Sequence, residues 1–140
     1  MGPLLDVFQT LLAGFPIFVL HLLTTLLVWV ASITLYARVT PHHELPLIRE
    51  GNVATAISFG SAALGLAVPL AFCLAGSINV YDILLWSLPI LLLQVSVFFL
   101  FDAVVRDVPG RLSRDDMACA IFLALCRLGV AAIIAGAISD

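Results

Sequence analysis

Three strongly polar side chains, His21, Gln94 and Arg127, stand inside otherwise apolar stretches of this 140-residue chain. An imidazole can relay protons, a carboxamide can both donate and accept hydrogen bonds, and a guanidinium is a permanent cation with five donors and no acceptor. Together they form the candidate polar site. A proton relay through His21 requires a second titratable group at its depth, and the neighbouring sequence offers only Thr24 and Thr25. Gln94, with Ser96 beside it, reads as a hydrogen-bonding group between helices. The other concentration of chemistry-bearing residues, His42-His43-Glu44, is contiguous. Useful ligand pairs on a helix fall three or four residues apart, so no metal site is expected there, and Glu50 lies too far along to complete one. No nucleophile with a base, no paired carboxylates and no phosphate-binding loop can be found, which argues against an enzyme and implies no cofactor. Cys73, Cys119 and Cys126 lie in apolar stretches without CxxC spacing and read as small packing residues.

The elements that hold these residues are unusually apolar: 63% of the chain is hydrophobic and only 11% is charged. A water-soluble domain of this size covers its core with charge, whereas here the charges are confined to gaps between long apolar blocks. Four blocks run from Leu11 to Ala37, Val53 to Ala75, Ile83 to Phe101 and Met117 to Ile138. Each reaches the roughly 20 residues that span about 30 Å of hydrocarbon. A spanning segment must satisfy its own backbone, and the alternating short strands of a barrel do not occur, so the blocks predict helices. The fold class is therefore an all-α membrane protein with four transmembrane helices in a single domain over residues 1–140. The first block exceeds what a bilayer requires, so it tilts or its Phe15-Pro16 end lies in the interface. Residues 1–10 carry Asp6 and no basic residue, unlike a cleaved signal peptide, and the first helix is expected to be retained.

All six basic residues are arginines, and five of them occupy two gaps: Arg38 and Arg49 between the first two helices, Arg106, Arg111 and Arg114 between the last two. Arginine near a membrane-spanning end stays cytoplasmic, so these two loops are expected inside and both termini outside. Tyr36, Tyr81 and Trp86 fall near helix ends as interfacial aromatics, while Trp29 lies deeper as a packing residue. A net charge of −3 and the lack of a basic patch with interleaved aromatics argue against nucleic acid.

The two halves resemble each other at an offset of 64 residues. Ala54, Ala56, Ile57, Leu64, Gly65, Ala67 and Ala71 recur as Ala118, Ala120, Ile121, Leu128, Gly129, Ala131 and Ala135. The expected architecture is two parallel two-helix repeats, about residues 11–75 and 76–138, related by an axis along the membrane normal. Gly51-Asn52 and Asp116, or Ser113 with Asp116, are placed to cap the second and fourth helices. Thr40-Pro41 reads as the start of a short interfacial helix through about Arg49, with the His42, His43 and Glu44 side chains on a solvated or oligomer-contacting face. Gly60, Ala63 and Ala67, with Ser61 and Gly65 beside them, form a small-residue stripe suited to close helix packing.

The run Arg38-Val39-Thr40-Pro41-His42-His43-Glu44, then Ile48-Arg49-Glu50-Gly51-Asn52-Val53-Ala54-Thr55-Ala56, then Gly60, Gly65 and Pro69-Leu70, resembles the YjfL-like family of small bacterial inner-membrane proteins, domain of unknown function 350. Leu84-Leu85-Trp86, Gln94 and a weaker second motif from Asp116 to Ala120 extend the likeness over essentially the whole chain. The resemblance implies a four-helix inner-membrane protein built from two two-helix units, without an established biochemical activity. The chain departs from the family pattern at Asp115-Asp116, where a pair containing Asn is usual, and at Arg127, where the family has a small or apolar residue.

Arg127 stands about eleven residues, hence about 16 Å, beyond Asp116 and close to mid-bilayer. A cation there costs from about 2.5 to on the order of 10 kcal/mol or more, depending on the scale. No Asp or Glu lies inside an apolar block to neutralise it, and at the 64-residue offset it matches Ala63, so it should face protein. Its expected neighbours are Gln94, backbone carbonyls, the hydroxyls of Thr24 and Thr25, or water at a subunit interface. Two functions follow from different weightings of this site. One is a self-assembling structural or accessory membrane component, with the bilayer and further copies or another membrane protein as partners. The other is a small oligomeric channel or permease, in which the guanidinium favours anions.

Overall fold

The computed structural model describes residues 2–40, 44–76 and 79–139. Six helices follow one another: α1 (Pro3–Val39), α2 (Glu44–Arg49), α3 (Val53–Gly76), α4 (Val80–Val105), α5 (Val108–Ser113) and α6 (Met117–Ile138). Helices α1, α3, α4 and α6 are each long and apolar enough to cross a membrane. No strand occurs among the described residues. The all-helical fold with four candidate spans agrees with the apolar blocks, and the ends of α3 and α6 fall within a residue of those expected.

Helix α1 begins eight residues earlier than the apolar pattern predicts. Pro3 supplies the preset φ of a first helical turn, Asp6 lies in that turn, and the residues up to Leu11 continue the helix. Helix α4 starts early because Asn79 caps it, accepting from Tyr81 N at 3.0 Å and Asp82 N at 3.3 Å. The short helix expected after Thr40 is α2, which begins at Glu44; Pro41, His42 and His43 lie outside the described residues. Thr40 ends α1 instead of starting α2, its N–H bonding to Tyr36 O at 3.0 Å. Helix α5 has no counterpart in the sequence expectations. It is held by Pro109 in its first turn and by the Asp102 carboxylate, which accepts from Val108 N at 2.8 Å.

The interior combines small and polar residues with larger apolar ones such as Leu66, Leu70, Ile90 and Phe98, while the exterior is large and apolar. The α3–α6 interface is the most extensive, and α4 and α1 pack against it. Its buried residues on α3 include Ala54, Ser58, Ser61, Ala62 and Gly65; on α6 they include Ala120, Ala124, Arg127, Ala131 and Ala135. Many leucines and phenylalanines of all four long helices point outward. Lipid tails are as apolar as leucine, so helices in a bilayer associate through close packing and hydrogen bonds, and an apolar exterior around small and polar contact residues is what lipid selects. Only Thr25, Ser32 and Tyr36 of α1 are fully buried; Val28, Trp29 and Ile33 pack partly against the bundle, and the helix up to Phe18 is exposed throughout.

The two turns that lead into α3 and α6 share an unusual backbone. Gly51 has φ +89° and Asp115 φ +61°, both in the left-handed region that glycine and, less readily, aspartate adopt. Asn52 then accepts from Thr55 N at 2.9 Å, and Asp116 from Cys119 N at 3.2 Å. Asp115 reaches across to accept from Ala54 N at 2.8 Å, and the Asn52 amide donates to Leu112 O at 2.8 Å. The starts of α3 and α6 are thereby tied together. Ser113 takes no part in capping; its hydroxyl donates to Pro109 O at 2.8 Å.

Candidate intramembrane polar site

Arg127 is completely enclosed. Nη1 donates to the Ser58 carbonyl and lies 3.4 Å from Ser58 Oγ and 3.3 Å from Ser61 Oγ. Nη2 donates to the Tyr36 hydroxyl. The guanidinium carbon stands 5.0 Å from the centroid of the Tyr36 ring and 5.5 Å from that of Phe98, within cation–π range. Four helices thus converge on one side chain: Tyr36 from α1, Ser58 and Ser61 from α3, Phe98 from α4, and the arginine from α6.

The counter-charge comes from a loop helix. Glu44, at the start of α2, is buried with only 5% of its surface exposed, and its carboxylate interacts electrostatically with Arg127. Thr40 holds that carboxylate, its hydroxyl lying 3.0 Å from Glu44 Oε1 and 2.9 Å from Tyr36 O. The expectation of Glu44 on a solvated or oligomer-contacting face is therefore corrected, since the residue is buried within the chain. A carboxylate folded back onto the bundle is better placed beside a buried cation than in water, and a short helix behind a tight α1 terminus can deliver it there.

The depth assigned to Arg127 is also corrected. Its Cα lies ten residues into α6, about 15 Å, but its guanidinium meets Ser58, five residues or about 7.5 Å into α3. Helical side chains lean toward the N-terminus, and the arginine stem follows that direction toward the face carrying α2 and α5. The charge therefore sits nearer one membrane boundary than its Cα does. Tyr36 is accordingly not an interfacial anchor, since it is buried in the bundle core with 1% exposure.

Of the remaining candidate residues, Gln94 lies in the same interface one helical turn farther along. It is fully buried, and its amide donates to Gly65 O at 3.2 Å; Gln94 Oε1 and Arg127 Nε have no partner among the described residues. His21 is not brought to the site. It precedes Tyr36 on α1 by fifteen residues, a distance of about 22 Å along the helix. Thr24 and Thr25 bond to Leu20 O and His21 O of their own helix, both at 2.8 Å, and are not partners of Arg127. Trp29 donates to Ala63 O at 2.8 Å and docks α1 on α3.

The small-residue stripe is divided among different contacts. Ser61 and Gly65 are buried toward α6 and α4, while Ala63 and Ala67 are half-buried along α1. Gly60 is exposed, with nothing within 4 Å of where a Cβ would stand. Cys73 and Cys119 are buried, Cys126 is partly buried, and all three are free thiols. No group of three or more His, Cys, Asp or Glu that could hold a metal occurs among the described residues.

Tyr36, Glu44, Ser58 and Phe98 were not among the sequence candidates. Aligning α3 on Ala54, Ser61 and Gly65 brings Ser58 onto the same face. The lean of Arg127 toward its helix N-terminus points to partners at the level of Tyr36 and Glu44.

These features define a polytopic α-helical membrane protein whose buried cation is held by protein groups. The chain belongs to the family described as Domain of Unknown Function (DUF350), which it matches over residues 10–138. It is 24% identical over 94 residues to UPF0719 inner membrane protein YjfL of Escherichia coli (strain K12), a match covering 67% of this chain and 71% of that protein. The protein of the same description from Escherichia coli O157:H7 matches to the same extent. No solved structure matches the chain. Four spanning helices and these relatives make it a multi-pass inner-membrane protein.

Proposed function

We propose that this protein is a non-enzymatic, self-assembling structural or accessory component of the inner membrane, with Arg127 as an internal fastening. The observation that carries this reading is the enclosure of the guanidinium by Tyr36, Ser58, Ser61 and Phe98. An arginine that gates or selects ions needs a face open to water, and this one spends its donors on joining helices. The two arginine-bearing loops lie on the cytoplasmic side and both termini outside, following the distribution of Arg38, Arg49, Arg106, Arg111 and Arg114.

The chain arose by duplication of a two-helix unit. In support, α2 and α5 begin at Glu44 and Val108 and end at Arg49 and Ser113, and α3 and α6 begin at Val53 and Met117, all at the 64-residue offset. The left-handed residues Gly51 and Asp115 obey the same offset.

A small oligomeric channel or permease is the second reading, favoured by the unpartnered Arg127 Nε and Gln94 Oε1, which could face a water-filled path in an assembly. Native mass spectrometry in mild detergent and ion or solute flux in proteoliposomes separate the two. The structural reading expects a defined homo-oligomer that passes no solute. Flux in the wild type that Arg127→Ala abolishes would overturn it.

A further inference from the structure

We infer that residues 3–15 of α1 form an amphipathic helix that lies on the membrane surface, at the face opposite α2 and α5, with the lipid interface as its partner. Depth along the bundle fixes where this segment begins. Trp29 bonds to Ala63, which brings the two residues to one level. From Ala63, α3 continues thirteen residues to its end at Gly76, and thirteen residues back from Trp29 along α1 is Pro16. The three other long helices have 24, 26 and 22 residues and match a bilayer. Pro3–Phe15, extended straight, would project about 20 Å beyond them.

That projection is unsuited to water and unsuited to the bilayer core. At 100° per residue, Leu4, Val7, Phe8, Leu11, Leu12 and Phe15 fall within an arc of about 140°. Asp6, Gln9, Thr10, Ala13 and Gly14 fill the opposite side. All six apolar side chains are more than half exposed, so no part of the bundle covers them. A helix lying in the interface buries one face and hydrates the other at once.

The chain is also weakened where the bend is required. Pro16 has no N–H for the Leu12 carbonyl, and Gly14 stands beside it with open space where a Cβ would be. No Lys or Arg precedes Arg38. Docking therefore depends on apolar area and not on anionic headgroups.

The test uses the full chain with Cys73, Cys119 and Cys126 replaced by alanine and single spin-labelled cysteines at positions 4–15, in lipid nanodiscs. The discs contain phosphatidylcholine with or without phosphatidylglycerol. Collision rates with oxygen and with a water-soluble nickel chelate are measured, and a label at Leu27 in the lipid-facing part of α1 verifies the fold. The expected profile has a 3.6-residue period, with oxygen dominant at Phe8, Leu11, Leu12 and Phe15 and nickel dominant at Asp6, Gln9 and Ala13, identical in both lipids. Uniform nickel access would place the segment in water and overturn the inference. So would depth changing steadily by about 1.5 Å per residue along the helix. Shielding of the apolar positions from both reagents would assign the face to a second copy, and a requirement for phosphatidylglycerol would contradict docking by apolar area.

Discussion

Replacing Tyr36 with phenylalanine removes one oxygen atom and tests whether Arg127 is a fastening. The ring, and with it the packing against Phe98, is retained, while Arg127 Nη2 loses its acceptor in a site closed to water. A hydrogen bond to a charged group contributes about 1.5–3 kcal/mol, and the donor left behind cannot be rehydrated, so Tyr36→Phe is expected to destabilise by about 2 kcal/mol. Arg127→Met leaves the Tyr36 hydroxyl without its partner and the buried Glu44 carboxylate without its counter-charge, and should cost more, about 3–5 kcal/mol. The double variant removes both ends of the Tyr36 bond and should be no less stable than Arg127→Met alone, because the tyrosine hydroxyl is then no longer orphaned. The coupling is therefore expected at about 2 kcal/mol or more, well outside the few tenths seen for independent sites. Cys73 and Cys119 supply the assay, since both thiols are buried in the folded protein. Unfolding in mild detergent is followed by their reaction with a fluorogenic maleimide over a denaturant series. Additive single effects, or a neutral Tyr36→Phe, would refute the proposed role of the guanidinium.

Two glycines five residues apart on α3 should respond oppositely to alanine. At Gly65 a Cβ would stand 3.1 Å from Gln94 Nε2 and 3.3 Å from Gln94 Cδ; the buried amide must give way, and a loss of about 1 kcal/mol is expected, relieved when Gln94 is also replaced by alanine. Gly60→Ala meets nothing within 4 Å and should gain up to about 1 kcal/mol from helix propensity, read in the same thiol assay. Asp115→Ala removes the cap on Ala54 N and leaves a β-carbon at φ +61°, for a combined cost of about 2 kcal/mol; Asp115→Asn, which keeps an acceptor and tolerates this backbone, should cost less than half as much. For orientation, cysteines at the exposed Glu50 and Asn79 positions should be labelled by a membrane-impermeant maleimide from the inside and the outside respectively, and labelling of the Glu50 site in intact cells would reverse the assigned topology.

The four spans and their turns were legible in the sequence because lipid imposes length and apolarity together, and because Asn52 and Asp116 announce helix starts through their capping chemistry. The early start of α1 was not. Its first residues carry Asp6, Gln9 and Thr10, which lower the apolar signal without breaking the helix. At the polar site, the identity and burial of Arg127 could be inferred from its position, but its partners could not. The apolar blocks themselves contain no Asp or Glu, and Glu44 lies outside them on α2. Its burial depends on tertiary folding of the loop, which periodicity does not encode. His21 shares only its polarity with Arg127, and the fifteen residues that separate it from Tyr36 on α1 exclude a shared site.

The same asymmetry explains how α1 can be positioned at all. Between helices in lipid there is no hydrophobic drive, so the location of a spanning helix is decided by close packing and by the few hydrogen bonds it makes. Helix α1 has few buried residues, and among the described residues its polar links to the other spanning helices are Trp29 to Ala63 and Tyr36 to Arg127. These links lie seven residues apart, two turns along one face, and so set both the rotation and the height of the helix. At the 64-residue offset their counterparts on α4 are Leu93 and Leu100, both exposed. Ala63 and Arg127 are themselves counterparts, the former opening its carbonyl to a tryptophan and the latter reaching out to a tyrosine. Corresponding positions in the two halves thus converge on α1, while the equivalent face of α4 is left apolar for lipid or a neighbouring copy. An arginine at position 127 is tolerable on these grounds: its charge is expended within the membrane on locating the one spanning helix that packing alone holds weakly.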